Sequence, residues 1–242
     1  MSRGKPDWSV PEYQQSPVVV DVADVADRLL GFARIDTRGR VFYLDTFADG
    51  VGGWELSAPG DADNPVAKVV QGLGFAGPVA VLLYPGIVDG EQSVMFRELY
   101  LGQAARIGIE FALTIGAPGV DFLLSFQYQV AGGTEYFGKL QYDLAANEWQ
   151  VWTAAGWVQA FATNVNYNGL NFLVFKLVLD FATGMYDRLM EGEVQHDLQT
   201  IAMPTAGSIA EGAARVLFAA TAVDTDGGGA YLHYVILTKD EP

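Results

Sequence analysis

From Arg40 onward the sequence repeats one motif: a run of alternating apolar and polar residues, then a short turn. In DFLLSFQYQV, Phe122, Leu124, Phe126, Tyr128 and Val130 alternate with Leu123, Ser125, Gln127 and Gln129. Side chains on a strand point to opposite faces in turn, so this spacing predicts a half-buried strand. Ala131-Gly132-Gly133 supplies a hairpin turn, and TEYFGKLQYDL follows with the same period. There Tyr136, Leu140 and Tyr142 oppose Glu135, Lys139, Gln141 and Asp143. LAAN turns the chain into EWQVW, and AAG turns it into WVQAF. In LVFKLVLDFATGMYDRLMEGEVQHDL, Leu173, Phe175, Leu177, Leu179 and Phe181 share a face before the Ala182-Thr183-Gly184 turn. ARVLFAATAV and AYLHYVILT close the region.

About a dozen strands with almost no helix between them exclude a parallel α/β fold, which needs a helix at each crossover. Half of the 242 residues are hydrophobic, ample for a core between two sheets. The expected fold class is therefore all-β, an antiparallel two-sheet jelly-roll sandwich over residues 40–242. Residues 1–39 read as an N-terminal extended arm and short helix. Pro6, Pro11 and Pro17 disfavour regular structure in the arm. In DVADVADRLLGFA, Val22, Val25, Ala26, Leu29 and Leu30 recur at helical spacing behind a capping Asp21.

The 29 acidic and 14 basic side chains leave a formal net charge of −15. Such a body repels phosphate backbones and anionic bilayers, so neither nucleic acid nor a membrane is an expected partner. With no cysteine there is neither a disulfide nor a thiolate metal site. The polar start MSRGKPDWSVPEYQQSP lacks the apolar stretch of a signal peptide.

Three stretches together carry a family resemblance. FYLDTFADGVGGWE is similar to the strand, D-x-F-x-x-G and W opening of concanavalin A-like and laminin G-like sandwiches. FKLVLDFATGMYDRLMEGEVQHDL resembles their long strand, D-x-x-T-G-x-Y and short hairpin, and AYLHYVILT their closing strand. Many relatives have an acidic pair where this chain has His233-Tyr234. GKPDW and the short helix resemble the lead-in of sandwich proteins from phages and related bacterial genomes. The resemblance implies the fold over residues 40–240, but sandwiches of this kind serve lectins, glycosidases, adhesion modules and virion parts alike.

The chemistry-bearing residues are few. No E-x-D-x-x-E run presents two carboxylates on one strand. Glu191 and Glu193 are the remaining carboxylate pair, in a turn-rich segment. Only His196 and His233 could serve a nucleophilic triad, and Ser125 and Ser208 lack an elbow motif. No enzyme is expected. Calcium would suit the oxygen ligands Asp45, Asp49, Asp224 and Asp226, with Asp61, Asp63 and Asn64 also in the first group. Trp149, Trp152, Trp157 and Tyr167 are the candidate ligand-binding aromatics, with Phe161 among them. Trp149 and Trp152 must face opposite sides of a regular strand.

The sequence expectation is a non-catalytic structural or attachment protein, a phage virion component that decorates a capsid or belongs to a tail. It would assemble in the host cytoplasm and meet other virion proteins or its own copies, as a homo-oligomer. Trp8, Tyr13 and the Val25/Leu29 face of the arm are the residues expected to dock on a neighbour. The alternative is a lectin-like carbohydrate-binding module that uses the aromatics.

Overall fold

The computed structural model describes residues 38–57, 66–71, 79–116, 119–162, 173–206, 212–223 and 228–242. The arm and its docking residues Trp8, Tyr13, Val25 and Leu29 lie outside them, as do Tyr167, Asp224 and Asp226. Among the described residues the chain forms strands only. In order they are β1 (Arg40–Asp45), β2 (Glu55–Ser57), β3 (Val66–Gln71), β4 (Val79–Tyr84), β5 (Gln92–Tyr100), β6 (Arg106–Ile115), β7 (Val120–Gln129) and β8 (Glu135–Asp143). Then follow β9 (Glu148–Thr153), β10 (Gly156–Ala162), β11 (Leu173–Asp180), β12 (Met185–Glu191), β13 (Val194–Asp197), β14 (Thr205–Ala206), β15 (Ala213–Ala222) and β16 (Ala230–Lys239).

Two antiparallel sheets result. The first runs β13-β12-β11-β6-β16-β4-β3, with β1 on the second half of β16. The second runs β10-β9-β8-β7-β15-β5-β2, with β14 on the start of β8. The alternation decides which residues meet between them. Ile107, Ile109, Phe111 and Leu113 of β6 face Phe122, Leu124, Phe126 and Tyr128 of β7 across one core. An aromatic seam ties the sheets together: Trp149 lies 4.4 Å from Phe175, and Phe175 stacks at 5.5 Å on Phe111. Such pairs add about 0.5–1.5 kcal/mol each beyond the area they bury.

The family-like motifs are corners. Asp180 Oδ1 accepts hydrogen bonds from the N–H groups of Ala182 and Thr183, and its Oδ2 accepts one from Arg106 Nε at 2.9 Å. Gly184 then takes φ 74°, a conformation that favours glycine, and reverses the chain into β12. In β16 a bulge inserts His233 between Leu232 and Tyr234.

Candidate functional site

The second sheet turns two large rings outward at its β10 edge. Trp149 and Val151 of β9 are fully buried in the core, so Gln150 and Trp152 point away from it. Trp157 lies opposite Trp152 in the β9–β10 hairpin. The two indoles meet edge-on, with centroids 5.0 Å apart and planes at 71°. Lys139 alternates with the buried Leu140 on β8 and shares this outer face, its Nζ 5.5 Å from the Trp152 ring centre. All three side chains are half-buried.

Beside the indoles runs a row of amides. Gln141, Gln150 and Gln159 are cross-strand neighbours on β8, β9 and β10. Gln141 Nε2 donates to Asp121 Oδ2 at 3.5 Å. Gln150 Nε2 donates to both Asp143 Oδ2 at 3.3 Å and Glu148 Oε1 at 2.7 Å. Gln159 Nε2 donates to Glu148 Oε2 at 2.6 Å. Ionised carboxylates only accept, so these contacts fix which way each amide is turned. The N–H groups of Leu144 and Ala146 donate to the other oxygens of Asp121 and Asp143. Burial, and to a lesser degree the charge of Asp143, push the Asp121 carboxyl up against the pull of the Leu144 N–H.

The first sheet holds this platform from behind. Tyr186 of β12 is fully buried, and its hydroxyl accepts a hydrogen bond from Lys139 N–H at 2.9 Å. The same hydroxyl lies 2.8 Å from the Trp152 carbonyl and 3.2 Å from that of Lys139. The β8–β9 register ends at Leu140–Val151, so Tyr186 bonds the two strands where their own pairing stops. Gly138 makes the close approach possible, since a Cβ there would collide with Leu179 of β11. Burial raises the Tyr186 hydroxyl far above its ordinary range, so it stays protonated.

The structure sorts the sequence candidates. Trp152 and Trp157 come together on the open face. Trp149 does not join them: it is 0% exposed and packs on Phe122, Tyr142 and Phe175, so it is a core residue. Phe161 stacks at 3.8 Å on His196 of β13, closing the edge between the sheets. Asp45 is engaged within a corner. Its Oδ1 accepts from Phe47 N–H at 2.8 Å, and its Oδ2 accepts from Tyr43 Oη and Trp54 Nε1, each at 2.9 Å. That is what D-x-F and the later Trp encode: three donors converge on one carboxylate while Phe47 takes φ 58°. Asp49 stands exposed, and among the described residues no three His, Asp or Glu side chains are grouped to hold a metal ion. Glu193 lies exposed in the β12–β13 turn, whereas Glu191 is half-buried, its carboxyl pushed up by burial. The sequence reading missed the glutamine row and Tyr186. Its signal for the row was Gln at outward positions of three successive strands; for Tyr186 it was the last residue of D-x-x-T-G-x-Y.

No protein-family model matches the sequence, and no curated protein matches it. Solved structures match the fold. A sialidase superposes with a TM-score of 0.57 at 12% identity, over 84% of this chain and 19% of the sialidase. The T. cruzi calreticulin globular domain gives 0.53 at 9% identity, over 83% and 88%. A glycoside hydrolase family 16 endo-glucanase from Bacteroides ovatus, in complex with G4G3G-2F-DNP, gives 0.52 at 11% identity, over 81% and 100%. The chain has the concanavalin A-like jelly-roll sandwich fold.

Proposed function

We propose that the chain is a non-catalytic carbohydrate-binding protein that holds a saccharide on the outer face of its second sheet. The observation that carries this is the Trp152–Trp157 pair, half-exposed beside a row of three amides. Pyranose rings have apolar C–H faces that stack on indoles, and their hydroxyls need nearby polar groups to fix orientation. Two of the matching proteins are named for action on saccharides, the endo-glucanase and a sialidase of which the match spans 19%. Binding is favoured over hydrolysis because no E-x-D-x-x-E run sets two carboxylates on one strand.

A glycan array followed by calorimetric titration tests the reading. Trp152→Ala and Trp157→Ala should each abolish binding while the β-sheet circular dichroism persists. Undiminished binding in both variants would refute it. A place on a phage particle, as a decorating or tail-associated subunit, is compatible with this role and rests on the sequence of the arm. Mass spectrometry of purified particles is its test: absence of the chain from them would remove that placement and leave the glycan face as it is.

A further inference from the structure

The strip formed by β8, β9 and β10 has an uneven supply of hydrogen-bonding groups. A glutamine brings two N–H donors and one carbonyl acceptor. Both donors of Gln150 are spent on Asp143 and Glu148, and Gln141 and Gln159 each turn their nitrogen to a carboxylate. What remains for a ligand is three amide carbonyls and the outer lone pairs of Asp121, Asp143 and Glu148, with the second N–H of Gln141 and of Gln159 and the Lys139 ammonium as donors. Lys139 is the cation of the strip, and its charge already lies over the Trp152 ring.

We propose that this face selects neutral, hydroxyl-rich saccharides and rejects those bearing sialic acid, uronate or sulfate, an inference that rests on the glycan-binding reading above. A sugar hydroxyl donates to such acceptors. A carboxylate or sulfate only accepts, so it gains nothing from Asp121, Asp143 and Glu148 and is repelled by their charge. The net charge of −15 extends that repulsion beyond contact range. The Trp pair supplies stacking without regard to charge, so the carboxylate row decides between otherwise similar rings.

The test titrates the whole chain with neutral gluco-, galacto- and manno-oligosaccharides and with glucuronate-, galacturonate- and sialic acid-bearing counterparts of matched length. The neutral members should bind on the order of tenfold tighter or more, equivalent to about 1.4 kcal/mol. Raising the salt should narrow the gap, as should Asp143→Asn/Glu148→Gln. Equal or tighter binding of the charged members, lost on Lys139→Ala, would overturn the selectivity while the glycan-binding reading stands. Failure of every saccharide to bind would overturn both.

Discussion

The outer faces of the two sheets are built from the same alternation and put it to opposite uses. On the first sheet the outward residues of β6, β11, β12 and β16 include Lys176, Arg188, Glu110 and Thr238, all buried. Lys176 Nζ lies 2.8 Å from Glu241 Oε1, and Arg188 Nη2 lies 2.9 Å from Glu241 Oε2. Lys176 also donates to the Arg38 carbonyl at 2.8 Å, and Tyr234 donates to Glu110 Oε1 at 3.1 Å. Gly108 keeps the space, since a Cβ there would strike Thr238, Glu241 and Lys176. On the second sheet the corresponding positions hold half-exposed glutamines, indoles and carboxylates. One face spends its polar groups on internal pairing in a dry environment. The other leaves acceptors and rings turned toward solvent. A polar residue at an outward position therefore says nothing by itself about whether it meets solvent or protein.

The comparison breaks most sharply at Glu241. Replacing it with Gln leaves Lys176 and Arg188 buried without the carboxylate they share. We expect a loss of roughly 3–5 kcal/mol in urea denaturation, with much of it recovered by adding Lys176→Met. His233, on the same closed face, bonds Thr114 at 3.0 Å, and burial lowers its pKa to about 4. The unfolded imidazole takes its proton near 6.5 while the folded one resists it. The stability it contributes is thus present above pH 6.5 and falls as pH drops toward 4, by on the order of 3 kcal/mol. His233→Gln should flatten that part of the stability–pH profile.

Tyr186→Phe probes the connection between the two sheets. It should cost about 1–2 kcal/mol, the price of orphaned backbone groups, and should weaken the exciton circular-dichroism couplet of Trp152 and Trp157. Tyr142→Phe, which removes a hydroxyl bonded to Asn147 at 2.9 Å, is the control: a similar loss of stability with the couplet intact. The smallest effect belongs to the open face. Glu148→Gln should change stability by less than about 0.5 kcal/mol, because a solvated charge loses little when neutralised. A loss as large as that of Glu241→Gln would show that the second face is as closed as the first.

The long strands were legible because burial imposes the period of two that DFLLSFQYQV and TEYFGKLQYDL display. The short strands β2, β13 and β14 were not all separable, since three or four residues cannot show a period. Parity told that Trp149 and Trp152 must part company, and only packing against Phe175 told which went inward. The donors that converge on Asp45 were not legible, because a carboxylate among glycines looks the same with or without them. The burial of Lys176 and Arg188 was not legible, because the Glu241 that pairs with them lies far along the chain. Tyr186 acts across the core, and no local spacing encodes a contact between sheets.

The placement of β16 has a consequence in time. It is hydrogen-bonded to β6 on one flank and to β4 and β1 on the other. Tyr234 and Glu110, its partner on β6, are separated by 124 residues. Ordering such distant segments sacrifices chain entropy before any contact repays it, which slows folding. The β7–β10 meander of the second sheet has only short turns to close and can zip up first. We expect the β8–β10 platform to take shape early, with Tyr186 locking it only when the slower sheet arrives.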